Sequence, residues 1–318
     1  MKSVLCVILN WRTAEMTLKA TEAALIAMEG VPGAITIVDN DSQDGSFEAM
    51  SEAARDWLRV RVIQSGRNGG YGAGNNVGIK AGLPDGSKPD YVYILNSDAF
   101  PAPDAIRALV AYLDSHPKVG FAGSHIHGED GAPHTTAFRF PSIASELEGA
   151  AKTGPVSKLL KNAIVAPPLP TQTTRVDWLA GASVLMRQKV LDQIGLFDET
   201  FFLYFEETDL CRRAAMAGWP TVYVVESRVM HLGSVSTGMK EWRRVPEYWF
   251  RSRRYYFEKN HGRLYAMAAT LAHVAGLGIY GARVLVQRKP KVNPPYFLRD
   301  LLKHSFGSRP AKRLVQES

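Results

Sequence analysis

Three observations predict an α/β fold, a Rossmann-like and mainly parallel sheet flanked by helices, with a basic helical appendage at its C-terminal end. Short apolar, β-branched runs alternate with helical ones through the first 125 residues, which implies right-handed βαβ crossovers. Several of those runs stop abruptly in Asn, Asp or Ser. Amides and carboxylates are thereby delivered to the carboxyl ends of strands, where open α/β sheets bind their ligands. Charge is also unevenly placed. From Arg243 to Ser318 there are 16 Lys/Arg against 4 Asp/Glu, a balance of +12 within a net +7, so the first 242 residues carry −5.

Val4 to Leu9 reads as the first buried strand, ending at Asn10-Trp11-Arg12. Met16 to Met28 follows as a helix, with Thr13 placed to cap it and Glu15 and Glu22 on its wet face. Ala34 to Val38 is a second strand. It closes in Asp39-Asn40-Asp41-Ser42, a polar strand-to-helix turn, and a helix from Phe47 to Trp57 leads to a third strand, Val60 to Gln64. The stretch from Gly66 to Gly78, which includes Asn68, Gly72 and Asn75, is a glycine loop that lets backbone approach a ligand closely. A helix from Asn75 to Ala81 would offer its free N–H groups to a phosphate. The spacing is neither a Walker loop nor a dinucleotide fingerprint.

Tyr91 to Leu95 is a strand apolar enough to be buried on both faces, and it stops in Asn96-Ser97-Asp98. Pro101 and Pro103 follow, and neither continues a central ladder. Alone, this end reads equally as an Asx turn or as oxygen ligands for a hard divalent cation carrying a diphosphate. Pro103 to His116 is a helix and Val119 to Gly123 a strand. Gly128 to Pro170 lacks periodicity and reads as a long excursion over one end of the sheet. Val176 to Met186 enters another apolar strand, and Lys189 to Ile194 is a short helix.

Next comes an aromatic run, Phe201 to Phe205, and directly behind it Glu206, Glu207 and Asp209 at the head of a helix that Gly218 stops. Acidic residues commonly cap helices. Three carboxylates behind five aromatic and apolar residues are poorly placed for mere solubility, and partial burial would raise a carboxyl pKa and suit a general base. Thr221 to Val225 is a further strand, with His231 beyond it. Tyr248 to Lys259 interleaves arginines with aromatics. Leu264 to Ala282 is nineteen apolar, Ala/Gly-rich residues interrupted only by His273, read as a helix lying in a membrane interface or packed on the protein rather than spanning a bilayer.

Composition is that of a folded protein, 46% apolar and 22% charged. Cys6 and Cys211 have no metal-type spacing and read as buried thiols of a cytosolic protein. The first residues lack a signal-peptide h-region, so secretion is not expected. The basic C-terminal part lacks a zinc-finger or RNP-type pattern, which argues against nucleic acid and for an anionic membrane surface. An NAD-dependent oxidoreductase is excluded by the missing fingerprint after the first strand.

Four stretches taken together resemble the family 2 glycosyltransferases, of the inverting GT-A type: Val38 to Ser46, Asn68 to Gly78, Leu95 to Asp98, and Trp178 to Ala182 continuing through Phe202 to Leu210. Within that family the chain is most similar to the rhamnosyltransferase-like group of bacterial cell-wall and surface polysaccharide biosynthesis. The similarity spans Val4 to Gly262. It implies a glycosyltransferase domain over 1–262, with a nucleotide-binding part to about 125 and an acceptor and catalytic part over about 126–262, followed by a helical basic tail over 263–318. The donor expected is a nucleotide sugar, dTDP-L-rhamnose first, with UDP-galactofuranose or a UDP-N-acetylhexosamine as alternatives. The expected acceptor is lipid-linked or a polysaccharide, on the cytoplasmic face of the plasma membrane. The resemblance implies that Asp39 meets the base, with Asn10 and Asn40 beside it. Asn68, Gly72 and Asn75 lie along the nucleotide and sugar. Asn96 and Asp98 hold the diphosphate with Mg²⁺ or Mn²⁺, and His231 is a second metal ligand. Glu207 is the base, while Glu206 and Asp209 orient it or the acceptor. Asn96 replaces the first acid of the family's Asp-x-Asp motif, and Glu206-Glu207 replaces its common Glu-Asp. A GT-A module that only binds nucleotide sugar is the competing reading, and a retained base argues against it.

Overall fold

In the computed structural model, residues 2–233, 243–288 and 293–307 are described. The first half follows the expected alternation: β1 (Val4–Asn10), α1 (Ala14–Ala27), β2 (Gly33–Asp39), α2 (Ser46–Ala53), β3 (Val60–Gln64), α3 (Tyr71–Ala81), β4 (Tyr91–Asn96), β5 (Ala99–Pro101), α4 (Ala105–Ser115) and β6 (Phe121–His127). The second half is β7 (Ala137–Phe138), α5 (Ile143–Ala151), α6 (Gly154–Leu159), β8 (Thr174–Val176), β9 (Trp178–Leu179), β10 (Ser183–Arg187), α7 (Gln188–Ile194), α8 (Glu206–Met216), β11 (Thr221–His231), α9 (Glu247–His261), α10 (Arg263–Gln287) and α11 (Phe297–Phe306).

Nine strands form one sheet in the order β3-β2-β1-β4-β10-β6-β11-β5, with β8 also on β11. The pairings β3-β2-β1-β4 and β6-β11 are parallel, and β10 lies antiparallel between β4 and β6. Six of the nine strands therefore share a direction, and the carboxyl ends of β1, β2, β4 and β11 open on the same edge. Pro101 is accommodated because β5 is the edge strand, where a missing N–H costs no ladder bond.

Strand alternation divides the core. Val4, Cys6 and Ile8 pack with α1 and α4 through Ala24, Met28, Leu109 and Leu113 on one face. Leu5 and Val7 pack with Ile79, Leu83, Val190 and Leu210 of α3, α7 and α8 on the other. Close approach of α3 to the sheet requires Gly78, since a Cβ there would sit 2.5 Å from Val7 Cγ1. Both cysteines are free and buried, as expected.

Several boundaries differ from the sequence reading. Helix α3 begins at Tyr71 rather than Asn75, because Gly70 turns the chain at φ +87° immediately before it. Helix α2 ends at Ala53 rather than Trp57. Thr13 occupies the N-cap position of α1 without capping it: its hydroxyl donates to Asn10 Oδ1 (3.3 Å) and Ser97 Oγ (3.3 Å) instead. The unreadable 128–170 region is ordered into β7, α5 and α6. Strand β11 runs on to His231 through an irregularity between Val224 and Arg228.

The C-terminal helices pack on what precedes them. Helix α10 lies along α5, where a Cβ on Gly276 would come 2.7 Å from Ala150 Cβ. Phe201, Tyr256, Phe257, Ala266 and Ala269 form a third small core joining α9 and α10 to the segment before α8. Of the basic residues of the C-terminal part, Lys289, Lys291, Arg309, Lys312 and Arg313 lie outside the described residues.

Candidate active site

The carboxyl ends of β1, β2 and β4 supply the polar floor of a cavity of about 1050 Å³ that runs under β7, α5 and α8. Asp39, at the end of β2, is 1% exposed and already held: its Oδ1 accepts from Asn10 Nδ2 (2.8 Å) and Ser42 Oγ (2.6 Å), and its Oδ2 from the Ser42 N–H (3.1 Å). Asn10 Oδ1 in turn accepts from Thr17 Oγ1 at 2.8 Å. Asn10 and Asp39 thus form a rigid buried unit behind the cavity wall. Asn40 lines the cavity, its amide donating to Asn68 Oδ1 (3.0 Å), which also accepts from the Gly70 N–H (3.1 Å). The predicted pair of strand end and glycine loop is therefore joined by a direct bond.

Glycine at 70 is compulsory on two counts. Its φ is positive, and a Cβ would lie 1.9 Å from the Phe202 carbonyl oxygen. Gly72 and Asn75 do not line the cavity among the described residues. At Gly72 a Cβ would meet Phe197 Cβ at 2.9 Å and Glu206 Cβ at 3.7 Å, so this glycine lets α3 approach α8. Asn75 is fully buried and donates to the Tyr71 carbonyl at 3.0 Å.

Asp98 and His231, 133 residues apart in sequence, meet at the cavity: Asp98 Oδ1 lies 2.9 Å from His231 Nε2. The Asn96 amide nitrogen is 3.4 Å from the same imidazole nitrogen, and Asn96 Oδ1 is buried with no partner. Ring packing of His134 on His231, with centroids 6.4 Å apart, covers this corner. No group of three His, Cys, Asp or Glu side chains capable of holding a metal occurs among the described residues. A carboxylate, an imidazole and an unpartnered amide oxygen do fit a cation whose remaining ligands come from a diphosphate.

At the head of α8, Glu206 and Glu207 also line the cavity. Glu206 is 1% exposed with Oε2 unpartnered, and burial together with the charge of Glu207 pushes its carboxyl well above the ordinary range. Glu207 is also raised by burial, but its Oε1 accepts the Gly181 N–H at 3.1 Å, which orients it. Tyr71 completes this corner by donating to the Gly181 carbonyl at 2.7 Å.

The carboxylates are aimed by a strained turn. Tyr204 (φ +69°) and Phe205 (φ +70°) both adopt the left-handed conformation, at a cost on the order of 1–3 kcal/mol each. Aromatic packing overrides it. Tyr204 stacks on Tyr248 with centroids 6.3 Å apart, and Phe205 packs on Trp249 and Tyr256 of α9.

Asp209 does not line the cavity, which corrects its expected role beside the base or acceptor. It is fully buried, 2.8 Å from both Arg213 and Lys259 and 3.2 Å from Asn260, and anchors α8 to α9. The α-helical spacing of Asp209 to Arg213, visible in the sequence, indicates the ion pair within α8 but not the anchor to α9. Sequence reasoning gave no site role to Trp11 or to Phe138, which stacks on Trp178 of the family-resembling stretch (centroids 4.3 Å apart), and all three line the cavity. Trp11 directly follows Asn10, a signal that was there to find. Phe138 lies in the aperiodic region and had none.

A model described as glycosyltransferase-like family 2 matches residues 2–237. The chain is 33% identical over 219 residues to N-acetylglucosaminyl-diphospho-decaprenol L-rhamnosyltransferase of Mycobacterium tuberculosis H37Rv, covering 65% of this chain and 69% of that one. It is 29% identical over 203 residues to rhamnosyltransferase WbbL of Escherichia coli K12, covering 61% and 72%. Among solved structures it is similar to the mannosyltransferase PcManGT of Pyrobaculum calidifontis in complex with GDP-Man and Mn²⁺, with a TM-score of 0.57 at 15% identity over 90% of this chain and 75% of that one. GalNAc-T7 with UDP, GalNAc and Mn²⁺ gives 0.54 at 15% identity, over 96% and 54%.

Proposed function

This chain belongs to glycosyltransferase family 2 and is a sugar-transferring enzyme, and from that premise we propose that it moves L-rhamnose from dTDP-L-rhamnose to a lipid-linked glycan acceptor, inverting the anomeric carbon. The observation that carries the reading is that two groups line one cavity: Asp98 with His231 at the sheet edge, and Glu207 with Glu206 on α8. The choice of sugar and acceptor is supported by the rhamnosyltransferases among its relatives, one of them named for a diphospho-decaprenol acceptor.

The donor occupies the part up to about residue 125. Its base lies against Asn40 and Trp11 in place of Asp39, the expected contact, because Asp39 is outside the cavity lining and engaged by Asn10 and Ser42, which keeps that wall rigid; its diphosphate lies toward Asp98. Asn96 Oδ1, Asp98 and His231 are the residues that would hold a divalent cation, Mg²⁺ or Mn²⁺, and Mn²⁺ accompanies nucleotides in the structural neighbours. When bound, the cation would neutralise the charge of the departing nucleoside diphosphate.

The acceptor enters from the 126–262 side. Its hydroxyl oxygen attacks the anomeric carbon from the face opposite the diphosphate. The carbon–oxygen bond to the diphosphate breaks, and the hydroxyl proton passes to Glu207. Two carboxyls whose environments differ divide the labour. Glu207, oriented by the Gly181 N–H, is the base. Glu206, more deeply buried and beside its charge, keeps its own proton and limits repulsion at the site.

The test is transfer of radiolabelled sugar from a panel of nucleotide sugars to a short-chain N-acetylglucosaminyl-diphospho-lipid, with and without Mn²⁺. Product with dTDP-L-rhamnose alone supports the reading. Product only with a uridine diphosphate donor replaces the sugar, and donor binding without transfer to any acceptor would leave a binding module.

A further inference from the structure

One feature of the cavity is not used by this chemistry. The same cavity is also walled by α5, α9 and α10, through Glu146, Ala150, Trp249 and His273. His273 is the one basic side chain between Leu264 and Ala282. Its Nδ1 lies 2.6 Å from Glu146 Oε2, and its ring stacks on Phe297 with centroids 5.4 Å apart. Arg253, 1% exposed, forks onto the same carboxylate at 3.1 and 2.8 Å and donates to Thr270 Oγ1 at 3.2 Å. Burial alone would raise the Glu146 carboxyl, but Arg253 and His273 outweigh it and hold the group below the ordinary range, so it is ionised.

A buried ionic network is a weak source of stability, because apolar residues of similar volume would serve as well. This one sits on a helix whose other buried residues are mostly small or apolar: Ala266, Ala269, Thr270, Gly276, Tyr280 and Val284. It is also not sealed: the side chains of Glu146 and His273 retain 11% and 14% of their accessibility and line the cavity. With Nδ1 committed to Glu146, His273 has one ring nitrogen, Nε2, left for a ligand. Aromatic walls stand nearby in Tyr248, Trp249 and the Phe138–Trp178 stack. An oriented hydrogen-bonding edge among aromatic faces is the chemistry that recognises a carbohydrate ring, whose CH faces pack on aromatics while its hydroxyls demand fixed partners.

We propose that Glu146 and His273 form the subsite for the acceptor's own sugar, with Glu146 and Arg253 positioning the His273 ring so that Nε2 engages an acceptor hydroxyl or amide. The inference rests on the glycosyltransferase reading and adds the acceptor subsite to it. It also gives α10 a second use, since the helix that carries His273 inward shows an apolar stripe outward.

Two substitutions separate recognition from architecture. Asparagine places its amide where Nδ1 lies and can keep the Glu146 bond without the outer edge. Glutamine reaches the Nε2 position. Binding of a short-chain N-acetylglucosaminyl-diphospho-lipid to the full chain would be followed by tryptophan fluorescence, with nucleoside diphosphate binding and melting temperature measured in parallel. His273→Asn is expected to weaken probe binding and raise its KM about tenfold, the effect of losing one hydrogen bond, with nucleotide affinity and melting unchanged. His273→Gln should recover most of that loss. Unchanged probe affinity in His273→Asn overturns the inference, as does an equal loss in both variants accompanied by a fall in melting temperature. A wild-type chain that binds nucleotide but not the probe also overturns it and leaves the donor chemistry standing. Failure to bind any nucleotide sugar removes the premise instead.

Discussion

Glu206 and Glu207 are adjacent in sequence but differ in what they touch, and that difference fixes what their substitution should do. Glu207→Gln keeps the Gly181 bond but cannot take a proton, so transfer should fall about 10²–10⁴-fold while nucleotide affinity stays within error. Near-normal turnover in this variant would move the base to Glu206. Both carboxyls lie above their ordinary value of 4.5, so the folded state holds protons that the unfolded chain has released. Their contribution to stability is full below that ordinary value and is lost as pH rises toward the raised folded values. Activity runs the other way and should rise with pH as Glu207 ionises. Glu206→Gln removes a buried acid that resists ionisation, so the decline of melting temperature between acid and neutral pH should flatten in that variant. An unchanged slope would mean that Glu206 is not held in its neutral form. At the sheet edge, Asp98→Ala should abolish any Mn²⁺ dependence of nucleoside diphosphate binding, measured by calorimetry, because it removes the carboxylate that lies against His231. Equal affinities with and without Mn²⁺ in both wild type and variant would dismiss the metal assignment.

Helix α8 shows what a sequence can and cannot disclose about an element. Its existence, its acidic head and its stop at Gly218 follow from helical spacing and a glycine at positive φ. The two left-handed residues that aim its head do not, since neither Tyr204 nor Phe205 favours that conformation and only aromatic packing from α9 imposes it. For the same reason Asp209 was legible as an acid but not as an anchor: its partner Lys259 is fifty residues away. Asp209→Ala removes a buried carboxylate shared by Arg213 and Lys259, but Lys259 keeps Asp198 and Arg213 keeps the Ile194 and Leu196 carbonyls, so the cost should be about 1–3 kcal/mol, read as a lower denaturant midpoint. Its residual activity should keep the wild-type pH profile, because the residue does not touch the cavity. A stable variant with a shifted profile would return Asp209 to the chemistry. Strands β1, β2 and β4 were readable nearly to the residue because each is buried on both faces, whereas β5 had no counterpart in the sequence reading and β6 runs on to His127, past the expected Gly123. Helices α5 and α6 were not, since α5 takes its stability from α10, more than a hundred residues later.

Taken whole, the molecule has a cavity wall on one side of α10 and exposed apolar residues on the other. The inner side of α10 packs on α5 and contributes His273 to the cavity wall. The outer side exposes Leu264 (82%), Met267, Leu271, Ile279, Leu285 and Val286 (82%), residues that fall on a single helical face. Length and composition would allow this helix to cross a membrane, but its other side is occupied by protein. A helix lying flat in the interface uses both sides, and the +12 balance after residue 242 supplies attraction to anionic headgroups. Such an attachment would bring a lipid-linked acceptor to the cavity without lifting it out of its bilayer. Deleting the C-terminal part would be a poor test, because it would strip α5 and the small core around Tyr256 of their cover. Exchanging Leu264, Leu271 and Leu285 for glutamine touches only exposed positions and should leave melting temperature within about 1–2 °C, as surface substitutions usually do. The variant is expected to lose cosedimentation with phosphatidylglycerol vesicles at low salt, and the wild type to lose it in part as salt is raised. Transfer to a water-soluble acceptor should be unaffected while transfer to a long-chain lipid acceptor in vesicles falls. If wild type and variant sediment alike, or if the wild type never binds such vesicles, the stripe is not a membrane surface.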